Sequence, residues 1–474
     1  MGWTSTITRS LALCAATLLP APAVMAQSLA DTFVAAYRHS NLLDQNRALL
    51  RVADEDLFQA QAALLPVVNF ISRATASQQR ISVGGLPTTT QSSARLNFAL
   101  SAEITLVDFG RGRLAIDFAR EQVLSARAGL LVVEQQVFFQ AAAAYLNVIS
   151  QRDTVALRRA NMTLIEQELR AARQRFELGD STRTDVAIAE ARLAAAQSAL
   201  AAAEGDLAVA RADFRLAVGI DVNSIRQPPR LPRLPSSLSA AQALARRQHP
   251  AILQAQHQVA AADLMVESAR AGRLGRVTGE VSAGIVGESG NRTVRDLSGS
   301  VTWAVPLYDG GRLNSTERAA VAQREAQRAA LHQQVAVILQ SVEESWSELA
   351  VARARLAASG LQIEAAETAY DAVRAEAELG SRTTLDVLNA EQELLDARSA
   401  QIAASAGVQF AAYALLQATG QLTVEGLNLG IPTYDVTAYA AGFTRRPAER
   451  PRSEQGDRLD RIMGRHGGGI NTGP

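Results

Sequence analysis

A seventeen-residue pattern occurs twice in this chain. Glu177-Leu-Gly-Asp-Ser-Thr-Arg-Thr-Asp-Val-Ala-Ile-Ala-Glu-Ala-Arg-Leu193 returns as Glu378-Leu-Gly-Ser-Arg-Thr-Thr-Leu-Asp-Val-Leu-Asn-Ala-Glu-Gln-Glu-Leu394, 201 residues later and with nine identities. A constant offset of that size means two copies of one unit. In each copy a helical run reaches a glycine, Gly179 or Gly380, which can adopt the left-handed conformation that ends a helix. Ser and Thr side chains then offer oxygens to the bare N–H groups of the next helix. The unit therefore contains a tight helix-turn-helix.

Other features recur at the same offset. Amphipathic helix covers Leu29 to Leu65, broken at Asn41 and closed by Leu64-Leu65-Pro66. From Ala94 to Val107 apolar residues (Leu96, Phe98, Leu100, Ala102, Ile104) alternate with polar ones (Arg95, Asn97, Ser101, Glu103, Thr105), the period of a β-strand. The stretch from Val67 to Ser82 is its weaker hairpin partner. A second hairpin spans 276–307, with Val277, Val281 and Ile285 on one run and Leu297, Val301 and Trp303 on the other. Each hairpin exits through an Asp and a Gly-Arg turn, Asp108-Phe109-Gly110-Arg111 and Tyr308-Asp309-Gly310-Gly311-Arg312. Alternating segments of this kind fit either a half-buried sheet in water or strands in a membrane. Gly112 to Phe176 and Leu313 to Ala377 follow, without proline and almost without glycine, each long enough for ~97 Å of helix. Shorter helices after the repeated turns end near Gly219 and Gly420, and small residues such as Ala191 to Ala203 allow helices to pack side by side in a wall. The expected organisation is a first repeat at 27–220, a proline-rich linker at 221–239, a second repeat at 240–430, and a tail at 431–474 whose Pro, Arg and Gly content predicts disorder.

Composition removes several function classes. All 47 basic residues are arginine, balanced by 47 acidic ones. Without lysine there is no phosphate-loop lysine and no Schiff base, and the zero net charge gives no argument for nucleic acid. Residues 1–26 read as a secretory signal, with Arg9, an apolar run from Leu11 to Leu19, and Val24-Met25-Ala26 before cleavage. Cys14, the only cysteine, leaves with it, so the mature chain has no disulfide and no thiol chemistry. No later stretch approaches the ~20 consecutive apolar residues of a membrane-spanning helix. His39, His249, His257, His332 and His466 show no metal-ligand spacing, and acids such as Glu343-Glu344 sit in helical charge patterns. The reading is of a protein that is not an enzyme and holds no metal or cofactor.

If the strands lie in lipid, their sheet must close, and four strands cannot. Closed barrels start at eight strands, which enclose only packed side chains, so an open channel needs at least three chains and twelve strands.

Taken together, the layout resembles the TolC-like outer membrane efflux protein family over about residues 29 to 430. The markers are Arg175-Phe176-Glu-Leu-Gly179 with Thr184-Asp185-Val186, Val305-Pro306-Leu307-Tyr308-Asp309-Gly310-Gly311, and Leu379-Gly380-Ser-Arg382-Thr-Thr-Leu-Asp386-Val-Leu388. The resemblance implies a mainly α chain with membrane β-structure: a long coiled-coil tunnel, and four strands per chain in a trimeric twelve-stranded barrel in outer-membrane lipid. It implies a homotrimer whose helical part lies in the periplasm, and partners in a periplasmic adaptor (a membrane fusion protein) and an inner-membrane ABC or RND-type pump. Type I protein secretion and multidrug efflux are the implied functions. The competing class is a soluble periplasmic coiled-coil adaptor or structural protein of an export complex; such an adaptor would lack the alternating hairpins.

By the same resemblance the repeated turns form the periplasmic tip. Gly179, Asp180, Ser181, Gly380 and Ser381 would dock the adaptor. Arg382 would hold the tunnel shut by pairing with Thr184 and Asp185 of the neighbouring helix pair, and Asp386 would contribute to a carboxylate ring at the entrance. An exposed Arg–Asp pair contributes only ~0.2–1 kcal/mol, but symmetry repeats it around one opening. The plainer alternative leaves Asp185 and Arg382 as solvated cap residues. Three positions depart from the family pattern: Leu274-Gly275 stands where Leu-Pro usually enters the second hairpin, Ala377 replaces a tyrosine of the best-known member, and Asn389 replaces a second ring aspartate.

Overall fold

A computed structural model describes residues 27–439, apart from 83, 86, 180, 223–224, 228–230 and 289–291. The expected signal sequence lies outside the described residues. The chain runs α1 (Leu29–His39), α2 (Asn41–Ala62), β1 (Val67–Ile81), β2 (Thr89–Val107), α3 (Arg111–Leu178) and α4 (Arg183–Val218). The same order then recurs: α5 (Leu238–Gln248), α6 (Pro250–Ala271), β3 (Arg276–Glu288), β4 (Arg292–Ala304), α7 (Arg312–Glu378) and α8 (Thr384–Ala418). Two compact units result. Among the described residues, one takes 27–46, Ala128–Leu253 and Leu331–Ile431, and the other takes Arg47–Arg127, Gln254–Ala330 and 432–439. Both repeats contribute to each unit, so neither repeat is a globule on its own.

In the second unit the four strands form one antiparallel sheet in the order β1-β2-β3-β4. Its register lays the alternation of each strand onto that of the next. Phe70 faces Leu100, Leu100 faces Ala283, and Ala283 faces Leu297, while the adjacent row is Asn69, Ser101, Ser282 and Ser298. Residues directly opposite share a face, so one side of the sheet is apolar across all four strands and the other polar. On the polar side Ser282 and Ser298 share a hydrogen bond of 2.8 Å. The apolar side is uncovered: Phe70 is 69% exposed, Leu297 79%, Val301 71% and Trp303 67%. A water-soluble sheet buries that side, and this one does not.

Gly275 at the entrance to β3 has φ 74°, which no proline can adopt, and a Cβ there would overlap the carbonyl oxygen of Ala304. The departure from Leu-Pro is therefore a requirement of this backbone. At the exits, Asp108 and Asp309 start the long helices. Asp108 Oδ1 accepts from the Gly110 N–H at 3.0 Å, and Asp309 accepts from the N–H groups of Gly311 at 3.0 Å and Leu313 at 2.7 Å.

In the first unit the helices pack on seven-residue repeats. Buried positions of α4 include Ala189, Ala196, Ala203 and Ala210, and those of α7 include Val342, Leu349, Tyr370 and Ala377. A strict period of seven keeps one seam of each helix against its neighbours, the geometry of a coiled coil. Among the described residues α4 alone is long and apolar enough by length and composition to cross a membrane. Counting consecutive apolar residues passes over it, because charged residues such as Arg192, Glu204 and Asp206 interrupt an alanine-rich helix.

The tail departs from expectation where it begins. Tyr439 donates to Glu55 Oε1 at 2.7 Å, the Arg127 guanidinium donates to the Val436 carbonyl at 3.3 Å, and the Arg47 guanidinium lies 5.4 Å from the centre of the Tyr434 ring. Residues 434–439 are thus held against α2 and α3 by two tyrosines, which the Pro, Arg and Gly content of the segment beyond them conceals. Residues 440–474 lie outside the described residues.

Candidate functional site at the repeated turns

Both turns are built by the same capping box. Gly179 and Gly380 have φ 85° and 80° and end α3 and α7. Thr182 Oγ1 accepts from the Asp185 N–H at 3.2 Å, while Asp185 Oδ2 accepts from the Thr182 N–H at 2.9 Å and the Thr182 hydroxyl at 2.8 Å. The second turn repeats this: Thr383 Oγ1 accepts from the Asp386 N–H at 3.2 Å, and Asp386 Oδ2 accepts from the Thr383 N–H at 3.0 Å and its hydroxyl at 2.8 Å. The shared Thr-x-x-Asp of the repeat is therefore a helix start with both orphan donors satisfied. Hydrogen bonds from the Thr182 backbone and side chain hold Asp185 below the usual carboxylate range. Those from Thr383 do the same for Asp386, with the positive charge of Arg382 adding to them. Both residues are anionic at neutral pH.

Capping occupies one oxygen of each carboxylate. Among the described residues, Oδ1 of Asp185 and Oδ1 of Asp386 accept no hydrogen bond. A cap and an outward electrostatic role can therefore coexist on the same side chain.

The two turns differ at their third residue. Ser181 donates to Asp185 Oδ2 at 3.0 Å, within its own turn. Its repeat equivalent Arg382 reaches back across the glycine instead, its Nε 2.8 Å from Glu376 Oε2, with half of each side chain exposed. Within one chain Arg382 thus does not pair with Thr184 or Asp185. Glu376 is nearer along the turn, and the cap already engages Asp185. Thr184 is exposed in the first turn of α4. Ser381 donates both its N–H and its hydroxyl to the Glu376 carbonyl, at 3.0 and 2.9 Å. Asn389 is exposed, and its Oδ1 accepts from Arg192 Nη2 at 3.1 Å, which joins α8 to α4. Ala377 is buried with Tyr370, Val387 and Leu394. Asp180 lies outside the described residues.

Two features were not singled out from sequence. Leu178 and Leu379, immediately before the turn glycines, are 78% and 87% exposed, apolar side chains at the points where a helix pair presents its end. They are identical in the repeat, which was the available signal. The other is the difference between Glu190 and Glu391, exposed in the first repeat and buried in the second. The histidines have structural places: the His249 ring accepts from the Ala251 N–H at 3.1 Å, and His257 meets Glu121 at 2.8 Å.

Comparison with known proteins gives the family and the fold. The profile of the family described as outer membrane efflux protein matches residues 34–220 and 241–421, one span per repeat. The chain is 32% identical over 425 residues to the outer membrane efflux protein BepC of Brucella suis biovar 1, covering 89% of this chain and 91% of that one. It is 27% identical over 274 residues to the alkaline protease secretion protein AprF of Pseudomonas aeruginosa, covering 56% of this chain and 57% of that one. Among solved structures, the outer membrane protein VceC of Vibrio cholerae superposes with a TM-score of 0.70 at 21% identity, covering 83% of this chain and 96% of that one.

Proposed function

The chain belongs to the outer membrane efflux protein family, as an outer-membrane channel for export, and from that premise we propose that three copies close their sheets into one barrel that serves as the exit duct of a tripartite system. The observation that carries this is the sheet itself. Its apolar face is uncovered, and β1 and β4 each have a strand neighbour on one side only in the single chain. In lipid both deficits must be removed, the face by acyl chains and the edges by closure. Two copies give eight strands around packed side chains, and three give twelve around a passage. With 13 to 19 residues each, the strands exceed the ~9–11 that a tilted membrane strand needs. The soluble-adaptor alternative has no use for such a face.

The repeated turns are the docking points for a periplasmic adaptor, with Gly179, Asp180, Ser181, Gly380 and Ser381 in the turns and Leu178 and Leu379 as apolar anchors. The same turns form the gate. Arg382 of one helix pair exchanges Glu376 for Thr184 and the open Oδ1 of Asp185 on its neighbour, and Asp386 lines the entrance beside Asn389. An inner-membrane ABC or RND-type pump sets the cargo class, protein in the first case and small molecules in the second. A photo-crosslinking residue at Ser181 or Ser381 in living cells tests the docking. Capture of an adaptor with an ABC exporter assigns protein secretion, and an adaptor with a proton-driven pump assigns efflux. An outer-membrane trimer that captures no adaptor refutes docking at the turns.

A further inference from the structure

Glu190 and Glu391 are the same residue of the repeat in opposite surroundings. Glu190 is exposed on α4, and its Oε1 accepts from Arg173 Nη2 at 2.7 Å. The equivalent arginine of the second repeat, Arg374, lies 3.8 Å from Glu378 instead. Glu391 is 4% exposed. Its Oε1 accepts from Asn161 Nδ2 at 2.6 Å, so the second repeat's α8 is tied to the first repeat's α3. Its Oε2 is buried and, among the described residues, has no hydrogen-bond partner. Along α8, Val387 and Leu394 flank it on the same face, both buried in the cluster that contains Tyr370 and takes in Leu164 of α3 and Ile363 of α7.

Ionised, such a carboxyl has one lone-pair set facing apolar packing, and the charge is the form that burial penalises. The groups around it on every packed helix do not offset this. Glu168 of α3 adds negative charge, Arg192 of α4 exerts only a weak pull while donating to Asn389, and Tyr370 of α7 is itself a buried phenol. Burial, with Glu168 adding to it, pushes the Glu391 carboxyl up to about 7.

We propose that Glu391 is a proton-operated latch between the two repeats: protonated, it lets α8 seat against α3 at Asn161, and ionised, it loosens that seam. The latch needs no contact between copies and stands apart from the Arg382 gate. The sign follows from linkage. The seated form holds its proton up to about pH 7, whereas a solvent-exposed Glu releases it near 4.3, so opening becomes easier as pH rises through the interval between them.

Hydrogen exchange of the assembled full-length channel reads this directly, in segments 157–168 and 386–398, after division by the intrinsic exchange rate. Between pH 5.5 and 7.5 protection of both segments falls about twenty-fold. In Glu391→Gln, which has the shape of the protonated acid and cannot ionise, protection does not change with pH. In Asn161→Ala, which removes the hydrogen bond favouring the anion, the fall moves to higher pH. Constant protection in the unsubstituted protein, or an equal fall in Glu391→Gln, overturns the proposal. Should Glu391→Gln fail to assemble, an unmoved midpoint in Asn161→Ala overturns it alone.

Discussion

At the corner between α5 and α6, His249 is 6% exposed. Its Nδ1 accepts from the Ala251 N–H at 3.1 Å, which is possible only while that nitrogen carries no proton. Burial lowers its pKa to about 4, although the Gln417 carbonyl pulls the other way. A histidine in the opened corner titrates near 6.5, so stability from this site is complete above that value and is lost as pH falls towards 4. From pH 7 to 4.5 the corner opens about fifty-fold more readily, a loss of roughly 2 kcal/mol. Hydrogen exchange of residues 238–253 measures it, again after removing the intrinsic pH dependence. His249→Asn keeps an acceptor near the Nδ1 position and cannot be protonated there, so its profile is flat. An acid loss of the same size in His249→Asn, or none in the unsubstituted protein, refutes the assignment. The slope is opposite to that of the Glu391 seam, so one exchange experiment reports both signs.

Thr383→Ala removes the oxygen that caps α8 and is expected to lower stability by about 1 kcal/mol, seen as earlier thermal loss of helicity. Gly275→Ala is expected to prevent assembly of the barrel, because its φ of 74° and the Ala304 carbonyl both exclude a Cβ; Gly299→Ala, with open space around it, is the tolerated control. The yield of heat-resistant oligomer in outer-membrane fractions distinguishes the two. Arg382→Ser is expected to raise the conductance of channels in planar bilayers, and unchanged conductance removes Arg382 from the gate.

The parts of the fold that follow from periodicity were legible in the sequence. The long helices lack proline, and the strands alternate so regularly that β2 carries its apolar row from Leu96 through Ile104 without interruption. The turns were legible because Gly179 and Gly380 carry the same Thr-x-x-Asp after them. Repetition also concealed differences. Ser181 and Arg382 occupy equivalent positions, yet one closes its own turn and the other reaches Glu376, because Glu376 replaces Arg175. Glu190 and Glu391 are identical letters, and only the packing of α8 on α3 separates a solvated ion pair from a buried acid. Burial at a seam depends on which helices meet, and a single helix pattern does not contain that. The tail from Tyr434 to Tyr439 failed for a related reason, since composition averages over two anchoring side chains.

The central claim is that four strands per chain become a closed wall by threefold assembly, and the number of copies decides it. Native mass spectrometry of the protein extracted from the outer membrane measures that number directly. A trimer, at three times the mass of the mature chain, is the expected result. One copy leaves both edges of the sheet open in lipid and two leave no passage, so a monomer or a dimer contradicts it.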